Sequence, residues 1–81
     1  MMYSDEKEVF RCFGNRIKVL RKKYKLSQSA LAGKAELEKS LIQRIERGSN
    51  VTLKTQLRLA NGFDISLSEL LNFSFLDNSK K

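Results

Sequence analysis

Polar side chains with strong hydrogen-bonding groups are concentrated between residues 39 and 44. Lys39, Ser40, Gln43 and Arg44 supply an ammonium, a hydroxyl, an amide and a guanidinium group within this segment. On a helix these positions project from the same side, because successive residues are separated by about 100°. Together they can donate and accept hydrogen bonds, which is the chemistry of recognition at a polar surface.

Bond-making chemistry has little support in this sequence. The chain has no histidine and a single cysteine, Cys12, so a zinc site or a cysteine–histidine nucleophile pair is excluded. Its carboxylates are scattered, and its glycines do not form a phosphate-binding loop. We therefore predict that the protein is not an enzyme and that it needs no metal, cofactor or small-molecule ligand.

The segment Leu26–Gly48 predicts two short helices joined by a tight turn. Ser27 is a suitable N-cap for the first helix, the second begins at about Glu38, and Gly48 is suited to end it. The apolar residues at helical spacing, which predict the inward faces, are Leu31, Ala32, Ala35, Ile42 and Ile45. A short helix with an apolar back and a polar front, supported by another helix, suits the DNA major groove.

The flanking sequence also has helical periodicity. A long helix is predicted from about Lys7 to Tyr24, and another from about Leu53 to Asn61, ended by a left-handed residue at Asn61–Gly62. The residues expected to face inward are Phe10, Phe13, Ile17, Leu20 and Tyr24, then Leu53, Leu57 and Ala60. A short final helix carries Leu67, Leu70 and Leu71, and no strand pattern is present, so the expected fold is all-α with five helices.

These motifs resemble the Xre/Cro/repressor family of lambda-repressor-like helix-turn-helix domains. The matching residues are Phe13–Ile17, Leu20–Arg21, Gln28, Leu31–Ala32, Ala35, Ile42, Ile45–Gly48, Leu57, Leu59–Ala60 and Ser68–Leu71. The length predicts one domain over residues 1–81, in which the resemblance covers a core at about 10–71 and leaves a C-terminal extension at 72–81. The resemblance also implies a sequence-specific transcriptional regulator that acts as a homodimer on a palindromic operator, as small restriction-modification controller proteins do.

The resemblance assigns base contacts to the second of the two short helices. Lys39, Ser40 and Arg44 occupy the family's base-contacting positions, and Arg44 could bind guanine O6 and N7 with two donors. Gln43 could reach a base or a phosphate, and Leu41 could contact a thymine methyl group or be simply half-buried. The alternative for Lys39 and Arg44 is that they only neutralise phosphates.

Other family positions imply supporting roles. Gln28 is expected to contact a phosphate and to brace the start of the reading helix, although it could be an ordinary exposed residue. The further phosphate-contacting positions are Glu38, Arg47 and Asn50. Arg21 and Glu46 are expected to form a structural ion pair between the first helix and the end of the reading helix.

One position departs from the family pattern. Glu36 stands in the turn where relatives usually have glycine, at a position that takes a left-handed conformation. A residue with a side chain can adopt that conformation at a cost of about 1 kcal/mol.

The C-terminal region suggests a contact between two copies of the chain. The residues predicted for this dimer contact are Leu67, Leu71, Phe73, Phe75 and Leu76. Apolar side chains near a terminus often mark an interface when they are exposed on a small domain. The alternative is that the aromatic residues fold back onto the first helix.

The charge balance favours an anionic partner. Sixteen basic and nine acidic residues give a net charge of +7, which is large for 81 residues and favours double-stranded DNA over a membrane. No apolar run is long enough to span a bilayer, and the first residues do not resemble a signal peptide, so we expect a cytoplasmic protein. The alternative functions are an antitoxin or a protein-interaction module with the same fold; RNA binding is less favoured, because no aromatic stacking platform is evident.

Overall fold

The structure, a computed structural model, describes residues 5–73 of the chain. In this part the chain forms helices and no strand, so the prediction of an all-α fold with five helices is confirmed. The helices are α1 (Glu6–Lys23), α2 (Gln28–Ala35), α3 (Lys39–Glu46), α4 (Leu53–Phe63) and α5 (Leu67–Leu70). The bounds of α1 and the starts of α2 and α3 lie within about a residue of the predicted positions, as is usual for helix ends.

Local capping chemistry explains where most of these helices begin. Ser27, Thr52 and Ser66 each accept a hydrogen bond from a first-turn amide of α2, α4 and α5, at 3.0, 3.2 and 3.0 Å. Asp5 accepts in the same way from the Lys7 amide at the start of α1. Each such cap is worth about 1 kcal/mol. At the start of α3, the Glu38 side chain makes no cap bond, so tertiary contacts must hold that helix end.

Three helices end at a left-handed residue that is not glycine. Lys25, Glu36 and Asp64 have φ near +60° and follow α1, α2 and α4. The next amide in each case bonds back to a carbonyl of the last helical turn, an arrangement that satisfies the free carbonyls of the helix end. These bonds are Leu26 N to Arg21 O, Leu37 N to Ala32 O and Ile65 N to Ala60 O, at 2.8, 2.9 and 2.9 Å. The side chains of Leu26, Leu37 and Ile65 pack against the core, and this packing fixes the direction of the next segment.

The end of α4 differs from the prediction. The helix continues through Asn61–Gly62 to Phe63, and the left-handed residue is Asp64. Gly62 lies inside the helix, where a Cβ atom would come within 3.0 Å of the Ala35 Cβ. The glycine therefore permits the close approach of α2 and α4 instead of ending the helix.

The predicted inward face of α4 is also partly wrong. Leu53 and Leu57 are 59% and 47% exposed, whereas Leu59 and Phe63 are buried together with the correctly predicted Ala60. Two apolar stripes overlap on this helix, and packing against α2 selects the stripe that includes Leu59.

The core lies where α1 to α4 converge and α5 closes one end. Tyr24, predicted to face inward, is instead 39% exposed at the end of α1, although its ring centroid lies 5.8 Å from that of Phe63. The buried hydrophobic residues of this core are Phe13, Ile17, Leu20, Leu31, Ala32, Ala35, Ile42, Ile45, Leu59, Ala60, Phe63 and Leu70.

Candidate nucleic-acid interface

The polar face of α3 lies over a fully buried back. Ile42 and Ile45 are 0% exposed and anchor the helix between α1 and α2. On the other side the exposed residues are Lys39, Ser40 and Arg44. Because two isoleucines fix the rotation of the helix about its axis, these three side chains can face only outward.

Gln43 and Leu41 flank this exposed face and are both half-buried. Leu41 also packs against the hydrophobic core, so part of its surface is already used within the domain. The remaining surface can contact a ligand, and the two interpretations of Leu41 are therefore compatible with each other. We use the name reading face for Lys39, Ser40, Leu41, Gln43 and Arg44.

The end of α3 is held by a buried carboxylate. Glu46 accepts from Arg21 Nε at 2.6 Å and from Arg21 Nη2 at 3.1 Å, a two-point contact with the planar guanidinium group. Arg21 also donates to the Leu26 carbonyl at 3.1 Å, so it connects α1, the α1–α2 link and α3. The side chains of Arg21 and Glu46 are only 15% and 4% exposed, so water offers little competition.

Burial and pairing have opposite effects on the Arg21 guanidinium group. The hydrogen bond with Glu46 raises the pKa of Arg21, and this effect outweighs the lowering caused by desolvation. Arg21 consequently stays charged throughout the neutral pH range.

Gln28 joins the same cluster in a way that the sequence did not indicate. Its Nε2 atom donates to Glu46 Oε1 at 3.1 Å, so the contact reaches the end of α3, whereas bracing of its start was expected. The three side chains Arg21, Gln28 and Glu46, which we call the anchor cluster, therefore connect α1, α2 and α3 at one point.

The other residues expected to contact phosphates surround α3. Glu38 precedes the helix, Arg47 follows it, and Asn50 lies in the loop before α4; all three are exposed. Gln28, which begins α2, is half-buried.

The turn between α2 and α3 has the left-handed residue that the resemblance implies. Glu36 has φ 58° and ψ 46°, and its carbonyl accepts from Arg58 Nη1 at 3.0 Å. This bond connects α4 to the turn. No local pattern in the sequence could have indicated it, because the partners are 22 positions apart.

The residues predicted for the dimer contact are in mixed surroundings. Leu71 is 40% exposed, whereas Leu67 and Phe73 are half-buried against the core. Phe73 takes the fold-back arrangement, with its ring centroid 6.3 Å from that of Phe13. Phe75 and Leu76 lie outside the described residues.

Residues 5–73 contain no group of three or more histidine, cysteine or acidic side chains that could hold a metal ion. None of the helices in this range is both long and apolar enough to cross a membrane.

Comparison with known proteins gives one consistent result. A family model described as "Helix-turn-helix" matches residues 17–70. The control protein C.MunI from a Mycoplasma species is 40% identical over 62 residues, which cover 74% of this chain and 84% of that protein. The crystal structure of the restriction-modification controller protein C.AhdI from Aeromonas hydrophila superposes with a TM-score of 0.78 at 39% identity, covering 82% of this chain and 97% of that one.

The chain therefore belongs to the Xre-type helix-turn-helix family of DNA-binding transcription regulators. In this family context, α2 and α3 are the helix-turn-helix, and α3 is its recognition helix.

Proposed function

We propose that this protein regulates transcription of restriction-modification genes by binding a palindromic operator as a homodimer in the cytoplasm. The observation that carries the proposal is the rigid presentation of the reading face. Four hydrogen-bonding side chains stand over two isoleucines that are 0% exposed, and the anchor cluster fixes the end of the same helix. The similarity to C.MunI and C.AhdI supports the choice of regulated genes.

Within the reading face, we assign direct base contacts to Lys39, Ser40 and Arg44. Arg44 is exposed and is long enough to place its guanidinium group against guanine O6 and N7, the most frequent specific contact in the major groove. Gln43 adds an amide that can pair with adenine or a phosphate, and the free part of Leu41 can contact a thymine methyl group.

Phosphate contacts fix the register of such a helix on the duplex. We assign them to Gln28, Glu38, Arg47 and Asn50. The carboxylate of Glu38 would repel a phosphate, so this position can contribute only through main-chain amides at the start of α3, where its side chain makes no cap bond. Arg47 supplies a positive charge at the opposite end of the helix.

The homodimer is assigned to the C-terminal side of the domain. Leu71 is 40% exposed and Leu67 and Phe73 are half-buried, so a second copy could cover apolar surface there. Phe75 and Leu76 continue this apolar sequence. Two recognition helices related by a two-fold axis would then lie about 34 Å apart, one turn of DNA.

Selection of bound sequences from a random DNA pool at stated salt concentrations tests the proposal. Enrichment of an inverted repeat is expected. Failure to enrich any sequence would overturn the assignment of sequence-specific DNA binding and would favour the protein-interaction or antitoxin alternative. Enrichment of a single half-site would contradict the dimer.

The role of Arg44 can be tested on the selected site. If Arg44 reads a base, Arg44→Ala should weaken binding by about 1–3 kcal/mol and relax preference at one base pair in each half-site. If it contacts only phosphate, the affinity for all DNA sequences should fall by the same factor. The slope of log affinity against log salt concentration should then decrease in magnitude by about 1 per lost contact. Titration of every single-base variant at two salt concentrations separates these outcomes, and uniform weakening would refute the base contact.

A further inference from the structure

One turn of α1, residues 13–16, contacts both the recognition helix and the proposed dimer region. Gly14 approaches the end of α3 so closely that a Cβ atom would overlap the main-chain oxygen of Ile45. In the same turn, the Phe13 ring packs against Phe73, and Arg16 bonds to the end of α5. Consequently, a single rigid helical turn connects the two surfaces.

Arg16 makes the polar part of this connection. Its Nη2 atom donates to the Glu69 carbonyl at 2.6 Å and to the Glu69 carboxylate at 3.3 Å, and its Nε atom donates to the Leu70 carbonyl at 3.1 Å. The side chain is only 15% exposed. The Glu69 carbonyl also accepts from the Asn72 amide at 3.1 Å, so the guanidinium group adds a second bond there. It also donates to the Leu70 carbonyl, and a positive charge at the end of a helix is favoured by the helix dipole.

α5 depends on such contacts for its orientation. It has only four residues, far too few to be stable as an isolated helix. Leu70 is buried in the core and Leu67 is half-buried against it, which leaves the C-terminal end of α5 to be fixed by further contacts. Arg16 and the Phe13–Phe73 contact attach this end of α5 to α1.

We propose that Arg16 is a positioning residue that sets the half-site spacing accepted by the dimer. The inference rests on the proposed function, in which α5 lies at the two-fold axis and α3 lies in the major groove. The distance between the two recognition helices then depends on the angle between α5 and the rest of each domain. Across a domain 20 Å wide, a rotation of about 10° moves the far side by about 3.5 Å, close to the rise of one base pair.

Operators with the two half-sites moved together or apart by single base pairs test this role. The wild-type protein should bind one spacing best and lose about tenfold or more in affinity when one base pair is added or removed. Arg16→Met keeps the packing of the stem but removes every donor. Its affinity for the operator with the best spacing should be within a few-fold of the wild-type affinity. The loss of affinity on adding or removing one base pair should fall to about threefold or less.

Two matched controls isolate the contact with the α5 carbonyls. Glu69→Gln removes the ion pair but keeps the carbonyl acceptors, so the wild-type spacing profile is expected. Arg11→Met changes an exposed arginine of α1 that pairs with Glu8, and it should also leave the profile unchanged. Base preference within each half-site should be the same in all three variants, because α3 is held separately by the anchor cluster.

The outcomes distinguish this inference from the proposed function. If the wild-type protein has no preference for an inverted repeat, the proposed function itself fails. If it has a sharp spacing preference and folded Arg16→Met keeps that preference, only the role of Arg16 is overturned. Should Arg16→Met fail to fold, Arg16→Gln replaces it, since glutamine keeps a donor but lacks the two-point geometry; a broadened profile supports the inference and an unchanged one overturns it.

Discussion

Glu46 is a buried carboxylate whose oxygens accept three hydrogen bonds from two other helices. Among single residues, Glu46 therefore joins α1 and α2 to the end of the recognition helix. Glu46→Gln would leave the Arg21 guanidinium group buried without its counter-charge. We expect the free energy of unfolding to fall by about 3 kcal/mol, as for other buried pairs that lose one partner.

Urea unfolding of Glu46→Gln and Glu8→Gln checks this expectation. Glu8 pairs with Arg11 at the surface, so its substitution should cost about 1 kcal/mol or less. Because the pKa of Arg21 is raised in the folded state, the contribution of its charged form is fully present in the neutral range and is lost as pH rises through the folded-state pKa. The difference between the two variants should therefore be the same throughout the neutral range, and equal costs would contradict the buried pair.

Substitution of Glu36 by glycine is expected to raise the stability of the protein. Its φ of 58° is favourable for glycine but costs about 1 kcal/mol for a residue with a Cβ atom. Glu36→Gly should therefore raise the thermal midpoint, whereas Glu36→Ala, which keeps the Cβ atom, should not. The bond from Arg58 to the main-chain carbonyl survives both substitutions. A midpoint that rises equally in both variants would show that loss of the carboxylate, and not the backbone, is responsible.

At the scale of elements, α3 is positioned by close contact with α1. The helix has eight residues and its N-cap side chain forms no cap bond, so tertiary packing must stabilise it. The contact depends on Gly14, because any side chain there would meet the main chain at the end of α3.

Gly14→Ala should consequently destabilise the domain by about 1–3 kcal/mol, a typical cost of overpacking, and should weaken operator binding by displacing α3. Gly33→Ala is the matched control, since a Cβ atom at that helical position has nothing within 4 Å. It should stabilise the protein by up to about 1 kcal/mol, because alanine favours helix more than glycine does. Denaturant midpoints and operator titrations measure both effects, and a neutral Gly14→Ala would contradict the close contact.

At the scale of the whole molecule, the net charge of +7 and the proposed dimer determine how strongly DNA is held. Like charges on two copies repel each other, so apolar contact must hold the dimer together away from DNA. Leu71 is the most exposed apolar residue in the described part of the proposed interface.

Leu71→Glu should raise the dimer dissociation constant by about tenfold or more, since it places like charges at a two-fold axis and removes apolar contact. Val19→Glu, at an even more exposed position on α1, introduces the same charge outside the interface and should leave dimerisation unchanged. Sedimentation equilibrium at several protein concentrations compares the two variants. Equal effects of the two substitutions on association would contradict the assignment of the dimer interface to α5.

Local structure follows from short-range signals in the sequence. Caps such as Ser27 and Thr52 act on amides within three residues, and helical periodicity is visible within a few turns, so the elements could be predicted. The resemblance supplied the reading face and the pairing of Arg21 with Glu46, because the motif's spacing fixes which positions face outward.

Packing between distant helices selects among alternatives that are locally equivalent. Packing against α2 selects one of two apolar stripes on α4, and this leaves Leu53 and Leu57 exposed. The same packing needs a glycine where the two helices cross, so Gly62 lies inside the helix and does not end it. Arg16 bonds to carbonyls that lie 53 and 54 positions further along the chain. Arg58 bonds to a carbonyl 22 positions before it. Periodicity and capping act over one or two turns, whereas these contacts form only when distant helices have packed together.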